Sequence, residues 1–320
     1  ARDAGKALMY LIETNIKPSD IMTQAALENA VTVLSAIGGS LNAMLHLPAL
    51  ACELGLELSW DMIAKITAKT PVLTDIVPNG NKTVIELYQA GGIPGIMKSL
   101  GELLHTDALT VTGKTVAENL SKATIKNKET IRPLDNPFKK ADGIQVLYGN
   151  LAPRGALVKT SAVPDELKRF SGKARVFNNE DECYEAFHKN EIVSGDALII
   201  RYEGPKGGPG MKEMHRVTEI VKKIPNTAVI TDGRFSGASG GLSIGYLCPE
   251  AKDGGAIALV ENGDEIKVDL YAGTMHLCVS DAELEKRRAR WTPHAQSGVT
   301  KFLARYSENV EPSDKGAVLK

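Results

Sequence analysis

The run Thr231-Asp232-Gly233-Arg234-Phe235-Ser236-Gly237-Ala238-Ser239-Gly240-Gly241 directly follows an apolar segment at residues 227–230. A short apolar run ending in glycines reads as a strand that breaks into a sharp turn. Here the turn carries a hydroxyl, Ser236, where backbone N–H groups can face a ligand. A serine between glycines is most often only a turn residue. A second Gly-rich loop lies upstream at residues 202–214 (Tyr-Glu-Gly-Pro-Lys-Gly-Gly-Pro-Gly-Met-Lys-Glu-Met), and it too follows an apolar run, 197–200. Two strands that each end in such a loop, one with carboxylates and one with a hydroxyl, predict a single pocket.

Outward from these loops the pattern repeats. Residues 144–147, 156–163, 174–177, 256–260, 265–270 and 275–279 are short β-branched or apolar runs separated by Gly, Asn and Asp. Together they predict a compact sheet or barrel. Asn262-Gly263 fits a tight hairpin turn between Val260 and Glu265, because both residues tolerate positive φ. Helices are predicted at 180–189 and, capped by Ser280, at 281–291. The tail, 293–320, is polar apart from Val299, Phe302, Leu303 and Tyr306, and is expected to dock back on the first part of the chain.

Residues 1–122 are helical in pattern. From Thr23, a predicted N-cap, apolar residues fall at Ala26, Leu27, Ala30, Val31, Leu34 and Ile37 until Gly38-Gly39 stops the helix. Further helices are predicted at 42–54, where Pro48 should kink the helix or delay its start, and at 60–67 behind Ser59. Two more are predicted at 83–90 and at 94–104, with Pro94 in the first turn. Residues 123–142 are rich in Lys, Asn, Pro and Asp, and Pro133 and Pro137 end any helix there. The expected organisation is a helix-rich domain at 1–122, a linker at 123–134, a β-barrel-like domain with flanking helices at 135–292 and the tail.

The chain has 320 residues, a formal charge of −1 and a pI near 6.7. It can bury a substantial core in about two domains, and it carries no general basic field for nucleic acid or an anionic membrane. A small-molecule substrate is expected. No apolar run approaches the roughly 18 residues of a membrane span, and the start lacks the apolar core of a signal peptide, so a cytoplasmic location is expected. Cys52, Cys183, Cys248 and Cys278 have no metal-ligand spacing and read as small buried hydrophobes. Gly113-Lys114-Thr115 looks like the end of a P-loop, but Ala108 stands where its first glycine is required. The 204–210 loop lacks a dinucleotide fingerprint, and its glycines predict close backbone approach to a ligand or a neighbouring domain.

With residues 232–250 and 254–264, the two loops resemble the dihydroxy-acid dehydratase and sugar-acid (6-phosphogluconate, aldonate) dehydratase family, over nearly the whole chain. The resemblance implies an α/β amino-terminal domain, of which residues 1–122 are the remainder, followed by the barrel-like domain. It also implies a homodimer, Mg²⁺, and an iron–sulfur cluster whose cysteines lie in an amino-terminal region and are not among the four here. Ser236 matches the family's catalytic serine. Glu213 matches its magnesium-ligating glutamate, with Glu203 as competitor in the same loop. Without the match, Glu213 would read as a favourable charge at the start of a helix expected from Met211. Asp232 and Arg234 read as a structural ion pair or turn hydrogen bonds. Gly38-Gly39-Ser40-Leu41-Asn42 resembles the family's Gly-Gly-Ser-Thr-Asn segment, with Leu41 in place of threonine. Asn42 and Gly237 are further candidates for substrate binding, while His46 reads as a packed or surface residue. Ala1 falls inside what reads as a running helix, so the chain is expected to be a fragment covering roughly the carboxy-terminal half.

The activity so implied is elimination of water from a 2,3-dihydroxy acid. Mg²⁺ holds the carboxylate and C2 hydroxyl, Ser236 removes the C2 proton, cluster iron assists departure of the C3 hydroxyl, and the enol becomes a 2-keto acid. A serine hydroxyl is a poor base, so Ser236 has to sit against strong positive potential. Residues 236–250, 254–264 and 313–319 are most similar to the branched-chain dihydroxy-acid dehydratases. A sugar-acid dehydratase is the alternative, and a non-catalytic capping or dimerisation module is the alternative of another class.

Overall fold

A computed structural model describes residues 1–77, 79–141, 143–236, 241–294 and 299–319. The chain divides into two compact units, residues 1–39 with 50–143 and residues 40–49 with 144–320.

Helices build the first unit: α1 (Arg2–Glu13), α2 (Pro18–Ile21), α3 (Gln24–Ala36), α4 (Ala43–Glu53, which starts in the second unit), α5 (Trp60–Thr67), α6 (Val84–Ala90), α7 (Gly92–Leu100) and α8 (Val116–Leu120). Four of them begin where the sequence supplies a capping hydroxyl. Thr23, Ser59, Thr83 and Thr115 accept the amides of Ala26, Met62, Glu86 and Glu118, which satisfies N–H groups that have no partner inside the helix. Pro48 sits inside α4. Leu73, Leu87, Ile96, Leu100 and Ile131 form the unit's core. Residues 123–134 therefore pack with this unit through Ile131.

The second unit contains β1 (Gln145–Leu147), β2 (Gly155–Val158), β3 (Arg169–Phe177), α9 (Glu180–His188), β4 (Asp196–Ile200), β5 (Glu213–Met214), α10 (Arg216–Lys223), β6 (Ala228–Thr231), β7 (Arg234–Phe235), β8 (Leu242–Cys248), β9 (Glu265–Asp269), β10 (Thr274–Leu277), α11 (Asp281–Arg290) and α12 (Lys301–Asn309). Among the described residues eight strands form one sheet in the order β1-β2-β8-β6-β4-β3-β9-β10. The central pairs β3–β4, β4–β6 and β6–β8 are parallel and the flanking pairs antiparallel. Just beyond β1, Tyr148 donates to the Gly273 carbonyl at 3.0 Å and accepts from the Met275 amide at 2.8 Å. The two ends of the sheet thereby meet, and the barrel-like domain expected from the sequence is observed.

The central strands are apolar throughout because both of their faces are covered. Ala197, Ile199, Ala228, Ile230 and Ile244 face one buried cluster. The alternate residues Leu198, Ile200 and Val229 face another, shared with Cys183 of α9 and with Val217 and Ile220 of α10. This is the period-two alternation of extended chain.

Several elements differ from expectation. Residues 256–259 form a 3-10 turn and not a strand; a short buried apolar run looks the same in either state. Asn262-Gly263 is consequently a turn without a hairpin, although Gly263 does take a positive φ of 90°. Strand β8 was concealed by its Ser, Gly and Tyr residues, and all seven of its positions are buried. As for the tail, Arg154 Nε donates to Asp314 at 3.0 Å, Ser307 Oγ donates to the Lys206 carbonyl at 2.7 Å, and Gly316 lies against Pro48 and Ala49.

Candidate functional site

The two Gly-rich loops are joined by a two-strand ribbon. β5 and β7 pair in parallel, with Glu213 opposite Arg234 and Met214 opposite Phe235. The ladder runs one step further, because the Ser236 N–H donates to the Met214 carbonyl at 3.0 Å. Met214 and Phe235 enter the buried cluster beneath α9 and α10. Alternation then presents Glu213 and Arg234 on the opposite face, where their charged groups lie 3.7 Å apart, and Ser236 follows directly on β7. The helix expected from Met211 does not form there; Met211 has a positive φ of 44° and the helix starts at Arg216.

The Glu213 carboxylate is held by side chains distant in sequence. Its Oε1 accepts from Asn42 Nδ2 at 2.6 Å and lies 3.7 Å from Arg234 Nη1. The Oδ1 of Asn42 accepts from the Tyr246 hydroxyl, and the Asn42 backbone N–H donates to Ser40 Oγ at 3.3 Å. Tyr246 is wholly buried, and burial pushes its hydroxyl pKa upward, so it remains a proton donor. Arg234 Nε donates to the Met211 carbonyl at 2.6 Å, which ties β7 back to the first loop.

Ser236 lines a small cavity together with Ser40, Leu41, Lys159, Phe235 and Ser243. Lys159 follows directly on the fully buried strand β2, and burial alone pushes its ammonium down to about 8. Glu213 is not part of this lining; its carboxylate faces Asn42. Gly237 lies outside the described residues, and His46 is exposed on α4.

The remaining carboxylates of these loops organise backbone. Asp232, fully buried, accepts the amides of Tyr202, Glu203 and Ala251 at 3.1, 3.0 and 2.8 Å. Glu203 accepts the Glu180 amide at 2.9 Å, and Glu180 accepts those of His215 and Arg216 at 3.1 and 3.0 Å at the start of α10. Glu203, the competitor for a metal, is thus committed to α9. The loop glycines serve close approach, but to the chain itself: a Cβ on Gly207 or Gly208 would meet the Tyr202 or Glu203 backbone at 2.8 or 2.9 Å.

Family models match both parts of the chain. Residues 1–119 match the dihydroxy-acid/6-phosphogluconate dehydratase N-terminal model, and residues 129–317 match the C-terminal model. The chain belongs to the dihydroxy-acid/6-phosphogluconate dehydratase family. Proteins named dihydroxy-acid dehydratase are similar to it over its whole length: 49% identity in Clostridium kluyveri, 48% in Acetivibrio thermocellus and 46% in Pyrococcus abyssi. The chain spans 58–59% of the length of these relatives.

For this dehydratase-family chain, the donor set fits one implied cofactor and not the other. Glu213 is a half-exposed carboxylate oriented by an amide, the kind of hard oxygen ligand that Mg²⁺ takes in small number. The cysteines do not fit an iron–sulfur cluster. Cys183 and Cys248 are buried as expected, Cys52 and Cys278 are exposed, and among the described residues no three His, Cys, Asp or Glu side chains converge. Sequence reasoning missed Tyr246, Lys159 and Ser243. Of these only Lys159 left a signal, as the single charge in the run 156–163.

Proposed function

We propose that this chain carries the proton-abstracting part of a hydro-lyase that converts a 2,3-dihydroxy carboxylic acid to a 2-keto acid. The observation that supports it is the β5–β7 ribbon, which pairs the strand bearing Glu213 with the strand that Ser236 directly follows. Ser236 takes the C2 proton, the C–H electron pair becomes the C2–C3 double bond, and the C3–O bond breaks, with one water lost overall. The resulting enol ketonises. A serine can act as base only where positive charge lowers its proton affinity, and Lys159 in the same cavity supports that requirement. Glu213 would hold Mg²⁺, which when bound supplies charge to the developing enolate. On this reading residues 1–122 complete an amino-terminal domain, residues 135–292 are the carboxy-terminal domain, and the working protein is a cytoplasmic homodimer.

Leu41 in the cavity wall favours a short branched-chain acid over a polyhydroxylated sugar acid, because an alkyl group leaves a sugar hydroxyl unpaired. Turnover of the intact protein with 2,3-dihydroxyisovalerate, an aldonate and 6-phosphogluconate tests the substrate. Ser236→Ala is expected to lower turnover by about 10²–10⁴-fold with unchanged stability. Full activity in that variant removes Ser236 as the base.

A further inference from the structure

We propose that Arg234 is a built-in counter-ion of Glu213, which opposes a divalent cation at that carboxylate and so sets how tightly the cation is held. This rests on the reading of Glu213 as a magnesium ligand and adds the residue that tunes it. Arg234 Nη1 lies 3.7 Å from Glu213 Oε1, the same oxygen that accepts from Asn42 Nδ2 at 2.6 Å. Among the described residues Oε2 accepts no hydrogen bond. Other arginines of this unit grip both oxygens of their carboxylates: Arg287 takes Asp264 and Arg154 takes Asp314 with two nitrogens each. Such forks are the strong form of the pair. Arg234 instead makes a loose, one-sided contact, which balances the charge of Glu213 and leaves one oxygen for a metal.

Arg234 is also tied in place. Its Nε donates to the Met211 carbonyl at 2.6 Å, its backbone pairs with that of Glu213 across the β5–β7 ribbon, and its side chain is only 18% exposed. A guanidinium stays charged at every working pH. That charge also reaches the Tyr246 hydroxyl, whose pKa it lowers against the larger upward push of burial. A fixed positive charge beside a ligand oxygen does two opposite things: it holds the carboxylate where it is, and it repels any second cation there. By Coulomb's law a divalent cation a few ångströms from a fixed unit charge loses on the order of tenfold in affinity, even in water-like surroundings. Asn42 and Tyr246 are neutral and orient the same carboxylate without this repulsion. Removing the charge of Arg234 should therefore act with the opposite sign to removing either of them.

Binding of Mn²⁺ to the intact protein without substrate, read from loss of the free-ion electron paramagnetic resonance signal, tests the proposal independently of turnover. Glutamine is the informative replacement, because its side-chain N–H₂ reaches about as far as arginine Nε and can keep the bond to Met211 while the charge is removed. Arg234→Gln is expected to tighten Mn²⁺ binding by about tenfold, and Arg234→Lys, which keeps the charge, to bind as the parent does. Arg234→Met serves as the second variant if Arg234→Gln fails to fold, with the same gain expected. A merely structural tie predicts weaker binding in Arg234→Gln. Unchanged or weaker binding in folded Arg234→Gln or Arg234→Met overturns the counter-ion role. Glu213→Gln separates the two readings. Lost Mn²⁺ binding there, with no gain in Arg234→Gln, overturns only the role of Arg234, whereas unchanged binding in Glu213→Gln overturns the metal reading of Glu213 itself.

Discussion

The side-chain amide of Asn42 joins the Glu213 carboxylate to the Tyr246 hydroxyl, with Nδ2 at 2.6 Å from Oε1 across 171 positions of sequence. An amide has one donor end and one acceptor end; the acceptor-only carboxylate takes the NH₂ end, and the Tyr246 hydroxyl, donating to Oδ1, anchors the other end so that the amide stays aimed at Glu213. Groups that orient a metal-binding side chain are commonly worth about 10–100-fold in metal affinity. Tyr246→Phe and Asn42→Ala are therefore expected to weaken Mg²⁺ activation by about that factor, read from a Mg²⁺ titration of turnover. An unchanged titration in both variants would leave Glu213 without a metal role.

Two glycines of the first loop separate steric need from backbone need. A Cβ on Gly208 would stand 2.9 Å from Glu203 Cα, whereas one on Gly210 meets nothing within 4 Å but is forced to a φ of 92°. Gly208→Ala is expected to cost about 1–3 kcal/mol through overpacking, and Gly210→Ala about 1–2 kcal/mol through the left-handed backbone alone. Urea unfolding of both variants measures the difference.

Stability should fall as pH rises toward neutrality because of Glu250. Burial, with the nearby Asp232 charge, pushes its carboxyl up to about 8, against the pull of the Lys206 and Gly207 amides. The folded chain thus keeps a proton that the unfolded chain releases near 4.5. The contribution is full below that lower value and is lost as pH climbs to about 8, with a slope of up to about 1.4 kcal/mol per pH unit. Glu250→Gln should flatten this slope in urea titrations across the same window, and an unchanged slope would place the proton elsewhere.

Leu41 should act on specificity. Leu41→Thr places a hydroxyl in the cavity wall, where it can pair with a sugar hydroxyl. The ratio of kcat/KM for an aldonate over 2,3-dihydroxyisovalerate is expected to rise about tenfold or more, as such ratios do when a buried hydroxyl gains a partner. A ratio that stays constant would mean that Leu41 does not touch the substrate.

Helix starts were legible at the hydroxyl caps Thr23, Ser59 and Ser280, because the cap and the helix it serves lie within one turn of each other, whereas the helices behind Thr115 and Thr300 were not expected. Strands β4 and β6 were legible as continuous apolar runs. Strand β8 was not, since what makes it a strand is burial between β2 and β6, and no local preference marks it. Glu213 and Ser236 could be singled out from their loops. Asn42 was marked by its Gly-Gly-Ser-Leu-Asn segment, but its bonds to Glu213 and Tyr246 arise from residues far away in the chain, and Tyr246 has ordinary local surroundings.

By itself the sequence determined the barrel-like class of the second part, the family, and the two loops that bear Glu213 and Ser236, because alternation, turn chemistry and motif are all local properties. Only the tertiary structure decided that those loops meet as the β5–β7 ribbon, that Asn42 and Tyr246 aim the carboxylate, and that Lys159 shares a cavity with Ser236. Such pairings depend on which strands neighbour one another in the sheet, and strand order is set by burial of the whole core, to which each short segment contributes only a part.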